Sequence, residues 1–70
     1  MFADEFEQVL SHLRTAPESG QRYRQVRGQF IRRWLMKKSL YHVYYCHDRA
    51  PDILEIHTVW SAKRGHGPPL

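Results

Sequence analysis

Cysteine is almost absent from this sequence of 70 residues, because Cys46 is the only one. A single thiol excludes an intramolecular disulfide and the zinc motifs that need paired cysteines, and it is typical of a reducing compartment. The five histidines lie far apart without H-x-x-x-H spacing, so we expect no metal site. A Gly-rich phosphate loop, a Ser-centred elbow and a Cys-His signature are also missing, so we expect neither a nucleotide-fuelled enzyme nor a cofactor.

Long apolar runs and a signal peptide are missing as well. No stretch approaches the roughly 20 apolar residues that a membrane-spanning helix needs. Met1–Arg14 carries acidic residues within an amphipathic pattern, unlike a secretory signal. We therefore expect a cytoplasmic protein with no membrane partner. A chain of this length forms one domain at most, residues 1–70, and a partner chain is the expected support for its thin core.

Acidic residues are absent from residues 21–47, although this segment holds seven basic residues. Residues 1–20 have the opposite balance, with four acidic residues and one arginine. A block of like charges repels itself, so an anionic partner is the natural reason to keep it. The alternative is a basic surface that serves only to keep the protein in solution.

Apolar residues recur at helical spacing over residues 2–15 and predict an N-terminal helix that Pro17 and Gly20 end. Such a stripe is more often part of a core than a groove for a partner, so we interpret this helix as scaffold. Residues 16–29 contain proline, serine, glycine and scattered arginines, and they predict an irregular connection.

From Phe30 the apolar period becomes two, which predicts three strands at about residues 31–37, 41–46 and 53–61. A turn is expected at 47–52, and the glycines and prolines of 66–70 predict a flexible tail. On the third strand, the spacing places Leu54, Ile56, Thr58 and Trp60 on one face. The short connections favour an antiparallel meander, so the predicted fold class is α+β, with an N-terminal helix packed on a small sheet. One face of the sheet is left for solvent or for binding.

Phosphodiester cleavage without a metal is the chemistry that the remaining residues allow. Attack by an RNA 2′-hydroxyl needs a base, cations that hold the negative phosphorane, and an acid for the leaving oxygen. Arg33, His42, Tyr44 and Arg64 fall on or beside different predicted strands and could meet at one end of the sheet. Each also has a plain alternative, as a surface charge, a surface histidine, a packing aromatic or a strand-end charge.

Two segments, residues 32–45 and 53–65, resemble the C-terminal half of the RelE/ParE superfamily of bacterial toxins. Arg32 begins a basic strand that leads through a short turn into Tyr41-His42-Val43-Tyr44-Tyr45, which is similar to the family's Y-x-V-x-Y strand. The last strand ends in the small-residue, arginine-bearing segment Ser61–Gly65. Ala16–Gly20 also looks like the N-P-x-x-G stop after the family's second helix. The resemblance covers nearly the whole chain, and it implies that the first strand and helix of the family are missing here.

The resemblance implies a toxin of a type II toxin–antitoxin system, neutralised by a cognate antitoxin. RelE-like members cut mRNA in the ribosomal A site, whereas ParE-like members inhibit DNA gyrase without an enzymatic step. Arg33 and Arg64 match basic catalytic positions of the nuclease branch, and His42 stands where that branch often has arginine. Leu35 and Leu70 stand where the branch has a lysine and a C-terminal tyrosine.

These observations predict a metal-independent mRNA endoribonuclease that acts on the ribosome, with Arg33, His42 and Arg64 as catalytic residues. The alternatives are a gyrase inhibitor and an inactive, truncated toxin that binds only its antitoxin. The residues expected to contact nucleic acid are Arg32, Arg33, Lys37, Lys38, Lys63 and Arg64.

Overall fold

The computed structural model describes residues 2–48 and 52–69 and shows one helix followed by a four-stranded sheet. The elements are α1 (Phe2–Thr15), β1 (Gln21–Val26), β2 (Gln29–Met36), β3 (Tyr41–Asp48) and β4 (Ile53–Ser61). The strands are antiparallel and follow chain order across the sheet, so the predicted α+β meander is confirmed. The predicted turn at 47–52 and tail at 66–70 lie partly outside the described residues.

Helix α1 has the bounds that the apolar spacing predicts. Val9 and Leu13 on its stripe are buried, and Asp4 and Glu5 in its first turn suit the positive end of the helix dipole. Neither α1, which has 14 residues, nor any other described segment forms a helix long and apolar enough to cross a membrane.

The sheet has four strands rather than the predicted three, because residues 21–26 form β1 instead of an irregular connection. This edge strand is almost entirely polar, so it lacks the period-two apolar signal on which a strand prediction depends. Val26 pairs with Gln29 across a two-residue turn, Arg27-Gly28, in which both residues have positive φ (52° and 81°). A tight type I′ hairpin turn requires a positive φ at both of its central residues, and glycine adopts a positive φ at little cost.

A β-bulge at His57 rotates the second half of β4. Tyr44 pairs with Thr58 and Tyr45 pairs with Ile56, so His57 is the extra residue. The prediction that Leu54, Ile56, Thr58 and Trp60 share a face is therefore wrong. Leu54, Ile56 and Val59 pack against the core, whereas Thr58 and Trp60 pair with Tyr44 and His42 on the other face.

The core lies between α1 and one face of the sheet, which we call the helix face. Its buried members are Val9, Leu13, Met36, Val43 and Tyr45, with Phe6, Trp34, Leu54, Ile56 and Val59 packed around them.

Two side chains, Tyr45 and Glu5, hold the helix and the segment after it to the sheet by hydrogen bonds. The Tyr45 hydroxyl accepts a hydrogen bond from the Gly20 N–H (2.9 Å) and donates one to the Pro17 carbonyl (2.8 Å). The Glu5 carboxylate accepts hydrogen bonds from the backbone N–H groups of Lys38 (2.8 Å) and Ser39 (3.0 Å). The opposite face, which we call the open face, is not covered by α1, the one helix among the described residues.

Candidate functional site

Arg33, His42 and Arg64, which the sequence places on three separate segments, line one pocket on the open face. Arg33 is on β2, His42 is on β3, and Arg64 follows β4. The pocket has a volume of about 210 Å³ and opens to solvent, and we call it the open-face pocket. Its other lining residues are Tyr44, Trp60, Ser61, Ala62, Gly65, His66 and Gly67.

Arg33 is held in place by β1. Its Nε donates a hydrogen bond to Oε1 of Gln21 (3.3 Å), the residue that pairs with it across the strands. Its guanidinium also lies over the ring of Tyr23, 5.4 Å from the ring centroid. Tyr23 falls at the bulge between Arg22 and Arg24, so an irregularity of the edge strand brings this aromatic ring to Arg33.

His42 is half-buried between the aromatic rings and the arginines of the open face. Its ring lies 6.0 Å from that of Tyr44, and it pairs across the sheet with Trp60. Burial and then the positive charge of Arg33 lower the pKa of His42, because both disfavour the imidazolium. The imidazole of His42 is therefore mostly the neutral form at pH 7, and a neutral imidazole can accept a proton.

Arg64 and the segment after it fold back over the end of β4. The Arg64 guanidinium lies over the Trp60 ring, 4.5 Å from its centroid. The Trp60 indole N–H donates a hydrogen bond to the His66 carbonyl (3.0 Å), and the His66 ring lies 5.9 Å from the Trp60 ring. Gly67 lies against the Tyr23 hydroxyl and Pro68 is buried. Trp60 therefore orders one wall of the open-face pocket.

Arg33 lies in the open-face pocket, and the other five residues predicted to contact nucleic acid fall into two groups. Lys37, Lys38, Lys63 and Arg64 are exposed at one end of the sheet, where the Ala62 N–H donates to the Leu40 carbonyl (2.8 Å) and joins the two turns. Arg32 lies on the helix face, where its Nη1 donates hydrogen bonds to the carbonyl oxygens of Glu18 (3.2 Å) and Gly20 (2.9 Å). The geometry thus gives Arg32 a bracing role between β2 and the segment after α1.

The positions of Tyr44 and His66 in the structure differ from the roles that the sequence predicts for them. Tyr44, a candidate for chemistry, is only 1% exposed and packs edge-on against Tyr23, so its position is that of a packing residue. The sequence predicts a flexible tail at His66, yet this residue lines the open-face pocket and offers a second imidazole there. Nothing in the local sequence signals this, because the return of the chain depends on Trp60, six residues earlier.

The open-face pocket thus combines two guanidinium groups, two imidazoles and an ordered aromatic platform. Such a set can hold an anion and can move protons near it. The chain matches no family model, no curated protein and no solved structure.

Proposed function

We propose that this protein is the toxin of a bacterial type II toxin–antitoxin system and cleaves mRNA on the ribosome without a metal. The observation that carries the proposal is that Arg33, His42 and Arg64, the three catalytic residues that the sequence predicts, line one solvent-open pocket. The RelE/ParE-like pattern of the strands supports the assignment to that fold family and to its nuclease branch.

His42 is the base of the proposed reaction. Its pKa is lowered by burial and by Arg33, so at neutral pH it takes the proton of an RNA 2′-hydroxyl. The 2′-oxygen attacks the adjacent phosphorus, and the bond from phosphorus to the 5′-oxygen breaks. The products are a 2′,3′-cyclic phosphate and a 5′-hydroxyl.

Arg33 and Arg64 stabilise the negative charge that the phosphorane develops. Both side chains already lie against aromatic rings, so little reorganisation is needed when the charge appears. We assign proton delivery to the leaving 5′-oxygen to His66, which lines the same pocket. Lys37, Lys38 and Lys63 contact the phosphates on either side and contribute affinity that falls with salt.

A cognate antitoxin is the second proposed partner. An acidic segment that covers the basic end of the sheet would compete with RNA for Arg33 and Arg64. Charge-assisted hydrogen bonds of arginine to carboxylates contribute roughly 1.5–3 kcal/mol each, so a few of them suffice for tight neutralisation. Co-expression with the product of the adjacent gene tests this partner, and relief of growth inhibition is the expected result.

Expression in bacteria, with transcript ends mapped across the transcriptome, tests the proposed activity. We expect growth arrest and new 5′ ends that appear in phase with codons inside translated regions. Arg64→Ala should abolish these ends, whereas Arg14→Ala, an exposed arginine of α1, should retain them. Ends without codon phase, or ends unchanged in Arg64→Ala, would contradict the proposal.

A gyrase inhibitor is the competing function, and Leu35 favours it. This residue stands where the nuclease branch has lysine, and it is 37% exposed on the same face as Arg33. A supercoiling assay with purified gyrase separates the two. Loss of supercoiling at stoichiometric concentrations of the protein, with intact transcripts in cells, would establish gyrase as the target.

A further inference from the structure

A second cluster of chemically active side chains lies at the other end of the open face. Cys46 on β3 pairs with Glu55 on β4, so their side chains share this face, and the bulge at His57 adds a third group. One ligand atom from each of Cys46, Glu55 and His57 lies within 4.8 Å of the other two. Local spacing in the sequence predicts no metal site, because it compares only residues that are close together in the chain. Antiparallel pairing of β3 with β4 brings together residues that are farther apart in the chain.

Two of the distances within this cluster match the edges of a tetrahedral metal site. Nε2 of His57 lies 3.4 Å from Sγ of Cys46 and 3.4 Å from Oε1 of Glu55. Zinc bonds of about 2.3 Å to sulfur and about 2.0–2.1 Å to nitrogen or oxygen place N and S about 3.6 Å apart and N and O about 3.4 Å apart in a tetrahedron. Nε2 of His57 therefore already lies about as far from Sγ of Cys46 and from Oε1 of Glu55 as two ligand atoms of one zinc ion lie from each other.

The charges of the cluster also favour a divalent cation. A divalent ion would balance one thiolate and one carboxylate. In the structure the thiol donates a weak hydrogen bond to Oε1 of Gln29 (3.5 Å) and lies 3.4 Å from Nε2 of His57.

The surroundings leave room for the ion and for a fourth ligand. Cys46 is 5% exposed, whereas the Glu55 side chain is 65% exposed and free to rotate toward the sulfur. A cavity of about 280 Å³ adjoins Glu55 and His57. Water or the amide oxygen of Gln29 can complete the tetrahedron from this side.

We infer that Cys46, His57 and Glu55 form a binding site for a divalent transition-metal ion such as zinc. The bound ion would join β3 to β4 at a place away from the open-face pocket. The soft thiolate and the imidazole select zinc, cobalt or nickel over magnesium and calcium, which prefer oxygen ligands. The ion reinforces a hairpin whose other end carries the proposed catalytic groups. This site is independent of the proposed RNA cleavage.

Cobalt(II) titration of the purified, metal-free full chain tests the site directly. A bound thiolate gives a sulfur-to-cobalt charge-transfer absorption in the near ultraviolet, and tetrahedral geometry gives intense visible bands. We expect both to saturate at one cobalt per chain and to disappear when zinc is added. Absence of the charge-transfer band in the wild-type chain would overturn the inference, and this result does not depend on any variant.

Variants then identify the ligands by zinc calorimetry. Loss of a residue that only contacts a metal ligand already lowers metal affinity about 10–100-fold. We therefore expect Cys46→Ser and His57→Gln each to lower zinc affinity at least about 100-fold, and Glu55→Gln to lower it about 10-fold. His47→Gln is the matched control, since His47 lies next to Cys46 but contacts Asp52 (2.5 Å) instead. Equal zinc affinity in Cys46→Ser, or a loss in His47→Gln as large as in His57→Gln, would contradict the assignment.

Discussion

The guanidinium of Arg64 lies over the indole ring of Trp60 at 4.5 Å, although Arg64 itself is beyond the end of β4. The same indole donates its N–H to the His66 carbonyl. One aromatic side chain therefore positions both an arginine and the loop that follows it. Arg64 is presented to the open-face pocket in a defined orientation rather than as a free surface charge.

Trp60→Leu should weaken binding of a short single-stranded RNA. A cation–π contact at an exposed site contributes about 0.5–1 kcal/mol, so we expect the Kd to rise about two- to fivefold from this loss alone. Trp60→Phe keeps an aromatic face but removes the indole N–H, and its effect should be smaller. Fluorescence anisotropy with labelled RNA measures both. Trp34→Leu, on the helix face, is the control, and an equal loss of RNA affinity there would contradict the role of Trp60.

Arg33→Gln should raise the pKa of His42. The Arg33 charge disfavours the imidazolium, so its removal makes protonation easier, while burial still keeps the pKa below its ordinary value. NMR titration of the His42 ring measures the change. Arg32→Gln removes an adjacent charge on the opposite face and should leave His42 unaffected. An unchanged His42 pKa in Arg33→Gln would contradict the electrostatic coupling of these two residues.

Glu5 should make the stability of the fold depend on pH below neutrality. Desolvation alone would raise the pKa of Glu5, but hydrogen bonds from Lys38 and Ser39 and the Lys38 charge outweigh it and lower that pKa. The carboxylate therefore stabilises the folded chain fully above its unfolded pKa of about 4.3, and this contribution is lost as the pH falls through the lower folded pKa.

Thermal melts from about pH 2 to about pH 7 measure this effect, because this range extends well below and above the ordinary glutamate pKa. Glu5→Gln should lower the melting temperature at pH 7 and leave it nearly unchanged at the acidic end. Glu7→Gln, an exposed residue of the same helix, is the control. A difference between Glu5→Gln and the parent chain that persists undiminished at the lowest pH would contradict the assignment.

Gly20→Ala should destabilise the protein strongly. An added Cβ would fall 2.8 Å from Cε1 and 2.9 Å from Cζ of Tyr45, and the fully buried ring cannot move aside. Overpacking of this kind typically costs about 1–3 kcal/mol, and displacement of the hydroxyl would break its bonds to Gly20 and Pro17. Urea unfolding measures the change. Gly65→Ala meets no atom within 4 Å and should change stability by less than about 0.5 kcal/mol. Equal stability of the two variants would contradict the packing argument.

Strong periodicity in the sequence predicts the helix and the later strands well. Residues 2–15 form α1 and residues 53–61 form β4 as expected, because an apolar stripe and an apolar alternation each have one structure that buries them. The sequence does not predict the strand at 21–26, because a polar edge strand is stabilised by backbone pairing and by its turn, and neither leaves an apolar pattern.

Contacts that depend on register cannot be obtained from local spacing. The bulge at His57 shifts Thr58 and Trp60 to the open face, whereas a regular alternation would place them on the helix face with Leu54 and Ile56. That shift is what brings Trp60 under Arg64 and His57 beside Cys46. The sequence thus identifies Arg33, His42 and Arg64 as candidates, whereas the platform beneath them and the cluster at the other end require the fold.

Cleavage of an mRNA on the ribosome by the purified protein tests the central claim most directly. Two mRNAs are compared that differ only by a 2′-deoxy nucleotide at the scissile position in the A site. We predict cleavage of the first, with a 2′,3′-cyclic phosphate end, and no cleavage of the second. His42→Ala should lower the rate by about 10²–10⁴-fold, the usual contribution of a general base. Absence of cleavage of either mRNA, or equal cleavage of both, would contradict the account.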